Sequence, residues 1–209
     1  MKKLDSKQLR DIPMIEAHDF AKKVKRNEIY FILENVYDTF NIGGIFRLAD
    51  GLAVSKIYLC GEMETPPNHK IQKASVGTHK IVPWEYKPSA VEAIKELRGN
   101  IIVIPDSDPP AGRAGRESRK NMDPRLREDD NQKIKIIAIE QSKNSIPYTK
   151  AVYTMPVALL VGNETFGVSE EALAEVDEIV EIPMWGINKS LNVIVSAAIV
   201  GYHAISTKK

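Results

Sequence analysis

The sequence predicts an α/β fold with a mostly parallel sheet flanked by helices, and three strand-to-helix transitions support this prediction. Apolar runs at 30–33 and 157–161 are typical of buried strands, and each is followed by a polar loop and a helical pattern. A third transition begins at Ile182 and leads through a glycine-containing loop into a helix rich in small and apolar residues. Open α/β sheets bind ligands in such loops, so we expect a functional site where the three meet.

The other elements continue this alternation of strands and helices. Residues 5–26 predict one or two short helices without a strong core face, and a strand at 29–33 begins the sheet. Ser89 is expected to cap a helix that ends near Arg98, because serine accepts hydrogen bonds from the first helical amides. The remaining predictions are helices from Gly43 to about Gly51, at 71–75, from Glu170 and from Ser190, and strands at 56–60, 80–82, 134–139 and 157–161.

Length and composition indicate a soluble globular protein with one domain and a small appendage. The chain has 209 residues, of which 43% are hydrophobic and 27% charged. No apolar run reaches membrane-spanning length, and residues 1–20 carry charges and lack the apolar core of a signal peptide. With Cys60 as its single cysteine the chain has no internal disulfide, so we expect a cytoplasmic protein. The four histidines show no metal-ligand spacing, and no metal is expected.

Residues 1–27 are expected to form a basic helical arm. The net charge of +1 says little about the partner of the chain, but eight Lys and Arg residues outnumber four acidic residues in this stretch. A basic arm can contact phosphate groups. A solvated leader with no binding role has the same composition, and the sequence leaves both interpretations open.

Three motifs occur in order along the chain, at 41–47 (NIGGIFR), 160–169 (LVGNETFGVS) and 182–198 (IPMWGINKSLNVIVSAA). With these motifs the chain resembles the SpoU (TrmH-like) branch of the SPOUT RNA methyltransferases. Any one motif is weak evidence alone, whereas all three in order at the ends of strands are specific. The resemblance covers about 29–206, and residues 28–209 are expected to form the methyltransferase domain.

The resemblance implies the fold, the activity and the partners of that family. It implies a deep trefoil knot at the C-terminal end of the α/β domain, S-adenosylmethionine as the cofactor, and methyl transfer to a ribose 2′-hydroxyl of tRNA or rRNA. It also implies a homodimer that packs through the knot region. The expected partners are therefore an RNA substrate and a second copy of the chain, with no membrane and no metal.

The resemblance places the cofactor against the loops of the second and third motifs. Gly162 is expected to let the backbone approach the ligand closely. Ile182 and Met184 are expected to supply an apolar wall beside the adenine. The full set of expected cofactor-binding residues is Leu160, Gly162, Ile182, Met184, Ser190 and Leu191.

Arg47 falls where the family has its essential arginine, and it is the main catalytic candidate. A guanidinium stays protonated in proteins and is a poor general base. We therefore expect Arg47 to bind a substrate phosphate in a bidentate manner and to steady the developing oxyanion. The structural alternative is an exposed arginine paired with Asp50, one helical turn later.

Four further residues complete the expected catalytic set, namely Asn41, Glu164, Ser190 and Asn192. Asn41 would orient Arg47 or the ribose, or would only cap the following helix. Glu164 would accept a hydrogen bond from the substrate or from Asn41, or would only close its own loop. Asn192 would fix the 2′-oxygen or Arg47, or would be a satisfied amide inside a helix. Ser190 would act in the site or only cap the helix.

Residues 100–132 are expected to be an insertion, because in the family a short turn joins the preceding helix to a strand like 134–139. The run 105–131 is rich in proline, glycine and charge, and such a composition buries too little apolar surface to offset its ordering entropy. We therefore expect a disordered surface loop. The alternative is an RNA-contacting loop that uses Arg113, Arg116, Arg119 and Lys120.

Two other functions fit parts of the sequence. A non-catalytic RNA-binding or assembly protein would retain the fold, but the intact set of motif residues argues against it. A different α/β nucleotide-binding enzyme is disfavoured because the chain has neither a GxGxxG pattern nor a P-loop.

Overall fold

The computed structural model describes residues 3–99 and 133–207. Within these residues seven strands form one sheet: β1 (Asn27–Glu34), β2 (Val54–Cys60), β3 (Trp84–Lys87), β4 (Lys135–Ile139), β5 (Ile146–Pro147), β6 (Val157–Val161) and β7 (Glu178–Glu181). They lie in the order β3-β2-β1-β6-β4-β7-β5, and their six pairings are parallel. The expected mostly parallel sheet is confirmed.

Helices cover both faces of this sheet. In the described part of the chain they are α1 (Ser6–Asp11), α2 (Met14–Lys23), α3 (Thr39–Gly51), α4 (His69–Ser75), α5 (Ala90–Gly99), α6 (Glu170–Leu173) and α7 (Val193–Thr207), with short 3₁₀ turns at Thr78–Lys80 and Tyr148–Lys150. Ser89 accepts a hydrogen bond from the Glu92 amide (3.2 Å), as expected for the start of α5. Within residues 3–99 and 133–207, no helix is both long enough and apolar enough to cross a membrane.

Neighbouring residues of a strand pack against helices on opposite faces of the sheet. Phe31 of β1 lies in the core shared with α3 and α7, whereas the next residue, Ile32, lies in the core shared with α5 and α6. Both side chains are fully buried. Strands that are buried on both faces read as continuous apolar runs, which is why these strands are recognisable in the sequence.

Two consecutive glycines bring α3 close to its neighbours. A Cβ atom added at Gly43 would overlap the Cβ of Ala74 and lie 2.9 Å from the Ile71 carbonyl oxygen, both in α4. A Cβ added at Gly44 would overlap the side chain of Ile194 in α7. Because the atoms met at Gly43 include α4 backbone, α3 packs on α4 at a distance that a larger residue does not permit, whereas on the α7 side the Ile194 side chain could move.

The N-terminal helices pack on the segment that precedes β3. Ile12 and Ala17 are buried with Ile81 in a small separate cluster. The Lys80 ammonium donates hydrogen bonds to the carbonyl oxygens of Arg10 (2.9 Å) and Ile12 (3.0 Å). The short helices expected at 5–26 are confirmed, and these contacts attach them to the domain.

The expected strand at 80–82 is wrong. Val76 (φ 54°) and Gly77 (φ 88°) take left-handed conformations that end α4, and the 3₁₀ turn Thr78–Lys80 follows. The Ile81 carbonyl oxygen accepts a hydrogen bond from the Arg26 guanidinium at 2.8 Å. The chain joins the edge of the sheet only at β3, two residues beyond the expected strand.

Two helices begin at other residues than expected. Asp38 caps α3 by accepting a hydrogen bond from the Phe40 amide (2.8 Å), so the helix starts at Thr39 and Asn41 lies inside its first turn. At the start of α7 it is Asn192, not Ser190, whose side chain accepts a hydrogen bond from the Ile194 amide (2.9 Å). The expected insertion at 100–132 lies outside the described residues.

We expect Gly43→Ala to destabilise the protein, because the added methyl group would overlap α4 backbone that cannot move aside. The free energy of unfolding should fall by about 1–3 kcal/mol, measured by urea denaturation. Gly99→Ala is the matched control, because a Cβ at that position meets no atom of residues 3–99 and 133–207 within 4 Å. Equal effects of the two substitutions would contradict the close packing of α3 on α4.

Candidate functional site

A cleft of about 450 Å³ opens at the carboxyl ends of β4, β6 and β7. These strands are neighbours in the sheet, so the loops that follow them meet at one edge. Cofactor sites typically enclose about 300–1,000 Å³, so the cleft is large enough for a small cofactor. It is lined by residues 139–141, 161–165, 180–182 and 188–193, together with Gly167, Met184 and Ser196.

The loop after β6 is a tight turn held by its own hydrogen bonds. Asn163 and Gly167 exchange two backbone hydrogen bonds of 3.0 and 2.9 Å. The Asn163 side chain accepts hydrogen bonds from the Thr165 and Phe166 amides and donates one to the Asn35 carbonyl oxygen. A Cβ at Gly162 would overlap the Gly167 carbonyl group, so glycine is required here by the closure of the turn.

Glu34 ties the end of β1 to the same loop. Glu34 is 5% exposed, and its carboxylate accepts hydrogen bonds from both the amide and the hydroxyl of Ser169, each 2.8 Å long. The Ser169 hydroxyl in turn accepts a hydrogen bond from the Ala172 amide (3.2 Å) and caps α6. The buried carboxylate is thus paired with donors that belong to the second motif, and the two strand ends are fixed relative to each other.

A chain of side-chain hydrogen bonds joins the three motifs at the rim of the cleft. The Asn41 amide nitrogen donates to Glu164 (2.8 Å), and the Asn41 oxygen accepts from the Asn192 amide nitrogen (2.9 Å). The Tyr37 backbone amide lies 3.4 Å from the other Glu164 oxygen. Asn41 is buried, whereas Glu164 and Asn192 are exposed and line the cleft. The expected hydrogen bond between Asn41 and Glu164 is observed.

Arg47 lies outside this chain of hydrogen bonds. It is exposed on α3, three residues after Gly44, and it does not line the cleft. The alternative pair with Asp50 is not formed, since no ion pair within residues 3–99 and 133–207 joins these two side chains. Burial raises the pKa of Asp50, and the nearby charge that opposes this shift is that of Arg26. An exposed guanidinium can bind an external anion.

Five of the six expected cofactor-binding residues line the cleft, namely Gly162, Ile182, Met184, Ser190 and Leu191. Leu160 does not, because its side chain is fully buried in the core that faces α5 and α6. Its neighbour Val161 points to the other face and lines the cleft. At this point of the strand the side chain that faces the cleft is that of Val161, and cofactor binding by Leu160 stays a prediction.

Two structural alternatives for the third motif are also wrong. Asn192 is not a buried amide inside a helix, because it is exposed and precedes α7. Ser190 does not cap the helix, since that role belongs to Asn192. Ser190 is exposed in the loop and lines the cleft.

Two titratable residues outside the cleft, Cys60 and His79, have pKa values shifted by burial. Cys60 is fully buried, and burial together with the charge of Glu34 raises the pKa of its thiol far above the usual range, so it stays protonated. His79 lies 2.7 Å from the Ser75 hydroxyl, and burial, with Lys80 nearby, lowers its pKa. In the part of the chain that the structure describes, no group of three or more His, Cys, Asp or Glu residues could hold a metal ion.

Sequence reasoning missed four residues that shape the site, namely Glu34, Glu140, Gln141 and Asn163. Glu34 and Glu140 directly follow apolar strand runs, and this position is a usable signal in a parallel sheet. Asn163 comes directly after Gly162, the first residue beyond β6. In such turns an asparagine side chain commonly accepts hydrogen bonds from the backbone amides. Gln141 carries no comparable signal.

We expect Ser169→Ala to destabilise the protein by about 2–3 kcal/mol, because it removes a helix cap and one of the partners of a buried carboxylate. Thermal and urea unfolding measure the effect. Ser89→Ala is the matched control, since Ser89 caps α5 but bonds no carboxylate, and it should cost about 1 kcal/mol. A smaller loss at Ser169 than at Ser89 would mean that the contact with Glu34 contributes nothing.

The family model of the SpoU rRNA Methylase family matches residues 28–114 and 116–202. A curated relative, the tRNA (guanosine(18)-2′-O)-methyltransferase of Aquifex aeolicus, is 40% identical over 181 residues, which cover 86% of this chain and 70% of that protein. The enzyme of the same name from Thermus thermophilus is 28% identical over 180 residues, which cover 86% of this chain and 75% of that protein.

Solved structures share the fold. The TrmH/SpoU tRNA modifying enzyme of A. aeolicus matches with a TM-score of 0.65 at 25% identity, over 97% of this chain and 81% of that chain. The SpoU methyltransferase AviRb from Streptomyces viridochromogenes, in complex with the cofactor AdoMet, matches with a TM-score of 0.66 at 22% identity. That match covers 88% of this chain and 62% of AviRb, and it shows the fold alone. Because the family model spans nearly the whole α/β domain, the chain belongs to the SpoU rRNA methylase family.

Proposed function

We propose that this chain transfers a methyl group from S-adenosylmethionine to a ribose 2′-hydroxyl of tRNA or rRNA. The observation that carries the proposal is the pair of hydrogen bonds through which Asn41 joins Glu164 and Asn192, since it unites one residue of each motif at the rim of one cleft. Family membership supports the proposal, and so do the relatives, whose names are those of tRNA 2′-O-methyltransferases.

The residues around the cleft fit S-adenosylmethionine. Ile182 and Met184 offer apolar surface to an adenine ring, and the carboxylates of Glu140, Glu164 and Glu181 favour a cation in the same space. When bound, the cofactor supplies a methyl group that is already activated by the positive charge on its sulfur. Leu191, Ser190 and the backbone at Gly162 would complete the pocket.

Arg47 is proposed to bind the substrate phosphate next to the target ribose. Its exposure on α3 and its position off the cleft suit contact with the RNA backbone better than contact with the cofactor. A guanidinium holds a phosphate in a fixed bidentate geometry and stays charged throughout the reaction. It would therefore act by orienting the ribose and steadying the developing oxyanion, and not as a free base.

Asn192 is proposed to act on the reacting ribose, with Asn41 and Glu164 holding it in place. Its carboxamide uses one N–H on Asn41, so a second N–H remains available at the cleft. Directed at the 2′-oxygen, that donor would stabilise the negative charge that develops as the proton leaves. Binding that holds the 2′-oxygen in line with the methyl group would lower the activation free energy of the transfer.

The alternative of a non-catalytic RNA-binding protein is the weaker one. Such a protein needs neither a carboxylate at the cleft nor a carboxamide bonded to it. The complete Asn41–Glu164–Asn192 arrangement favours the catalytic function.

The chain is further proposed to act as a homodimer in which α7 contributes to the interface. Val195 and Tyr202 are seven residues apart on one side of α7, and 44% and 56% of their surface is exposed. Trp185 and Ile187, in the preceding loop, are almost fully exposed. Apolar residues grouped in this way mark interaction surfaces, and a second copy of the chain would cover them.

We also propose a knotted C-terminal region, an RNA contact of the N-terminal arm and a cytoplasmic location. The C-terminal part of the domain at 28–209 would form a deep trefoil knot. The basic N-terminal arm at 1–27 would contact RNA phosphates from its docked position on the domain. The enzyme would work in the cytoplasm, where tRNA and rRNA are its substrates.

We expect Arg47→Ala to lower methyl transfer by at least about 100-fold while cofactor affinity stays within about twofold, because the lost charge acts on RNA. Transfer of a labelled methyl group to tRNA and rRNA measures the first quantity, and calorimetry the second. Ribose-methylation mapping in cells that carry the wild-type gene, Arg47→Ala or no gene identifies the modified RNA.

Lys95→Ala is the control for this substitution, since Lys95 is an exposed cation on α5, across the sheet from α3. It should retain activity. Loss of cofactor binding by Arg47→Ala would assign Arg47 a different role. Wild-type protein that neither binds S-adenosylmethionine nor changes any ribose methylation would favour the non-catalytic function.

We expect the double substitution of Val195→Lys and Tyr202→Lys to give a monomer, because two charges would have to be buried in the interface. Sedimentation equilibrium measures the mass, and the wild type should be a dimer. Tyr86→Lys is the control, since Tyr86 is a similarly exposed apolar residue on the edge strand β3. A dimeric double variant would place the interface elsewhere.

A further inference from the structure

The segment between β4 and β5, residues 140–145, contacts both walls of the cleft, and we propose that Glu140 and Gln141 position the cofactor by holding these walls in place. Neither residue belongs to the three motifs. The inference rests on the proposed function, because it assigns these residues to the binding of S-adenosylmethionine. The β4–β5 segment would set the width of the cleft before the cofactor arrives.

Glu140 holds the wall formed by the loop after β6. One of its carboxylate oxygens accepts a hydrogen bond from the Val168 amide (3.0 Å), and the other accepts from the Gln141 amide (2.8 Å). Gly167 has a φ of 72°, and a Cβ there would overlap the oxygen that binds Val168. The loop after β6 is thus built around the carboxylate, which explains why a glycine stands at this point.

Gln141 holds the opposite wall, formed by the loop between β7 and α7. Its side-chain amide donates a hydrogen bond to the Lys189 carbonyl oxygen at 2.7 Å. Among the hydrogen bonds of residues 3–99 and 133–207, this is the one that connects residues 183–191 to a part of the chain outside that loop. Residues 185–191 are exposed, so packing does little to hold them.

The β4–β5 segment is itself fixed by a serine turn. The Ser145 hydroxyl donates to the Ser142 carbonyl oxygen (2.8 Å) and also lies 2.9 Å from the carboxylate of Glu181, at the end of β7. The Ser142 hydroxyl accepts a hydrogen bond from the Asn144 amide at 3.2 Å. The segment is therefore attached to the sheet on one side and to both loops on the other.

This arrangement predicts an effect on binding and not on chemistry. A loop that is already held in its bound conformation does not lose that freedom when the ligand binds, so affinity rises. Glu140 and Gln141 lie at the cofactor cleft, away from the exposed Arg47. Weakening either wall should therefore raise the KM for S-adenosylmethionine and leave kcat at saturating cofactor nearly unchanged.

The test uses Gln141→Met in the full chain, which keeps the length of the side chain but removes the N–H donor to the Lys189 carbonyl oxygen and adds no charge to the cleft. Lys143→Ala is the matched control, because Lys143 is exposed in the same segment and does not line the cleft. Hydrogen exchange of the amides at 186–192 is measured without cofactor, and the Kd and KM for S-adenosylmethionine are measured together with kcat.

For Gln141→Met we expect faster exchange at 186–192, a Kd and KM raised about three- to tenfold, and a kcat within about twofold of wild type, as for the loss of one hydrogen bond. Lys143→Ala should match the wild type in each measurement. Unchanged exchange, or a fall in kcat at unchanged Kd, would overturn the inference and leave the proposed function standing. A wild-type protein that binds no S-adenosylmethionine would overturn the proposed function, and the role of both residues in cofactor binding with it.

Discussion

A single buried carboxamide holds the parts of the site together. Asn41 is 6% exposed, and its amide nitrogen and oxygen are bonded to residues 123 and 151 positions away in the sequence. Burial of an amide without partners costs about 1–3 kcal/mol in proteins. The folded state therefore favours the arrangement in which Glu164 and Asn192 arrive together, and the same bonds that stabilise α3 shape the rim of the cleft.

The parallel sheet brings these distant partners within reach. β1 and β6 are neighbours with Leu33 opposite Val161, so the loops that follow them leave the sheet at the same edge. Glu34 crosses that edge to bond Ser169, and Asn163 crosses it to bond the Asn35 carbonyl oxygen. The buried apolar strands thus end in loops whose polar groups are hydrogen-bonded to one another. The position of each polar group is set by the strand that precedes it.

Local patterns in the sequence predict much of the sheet and part of the rim of the cleft. The strands are apolar on both faces, so their runs are easily recognised, whereas Asn41 and Glu164 are identified through the resemblance to the family. The same property hides which face a residue takes, so the sequence does not show that the side chain of Val161, and not that of Leu160, lines the cleft. Asp38 and Asn41 are equally good caps, so propensity alone does not fix the start of α3. The contact of Gln141 with its distant loop depends on tertiary geometry that no local pattern carries.

The proposed cofactor site and the proposed phosphate contact at Arg47 lie on two different surfaces of the protein. The cleft, with Glu164 and Asn192 at its rim, is shaped by hydrogen bonds within the chain. Arg47 is exposed and lies off the cleft, and no ion pair within residues 3–99 and 133–207 holds its guanidinium. If the chain acts as proposed, the RNA itself must bridge the two surfaces, with its phosphate on Arg47 and its ribose at the rim. Binding energy from the phosphate would then be used to align the 2′-oxygen with the methyl group. An RNA whose phosphate does not contact Arg47 would therefore be methylated more slowly, and not only bound more weakly.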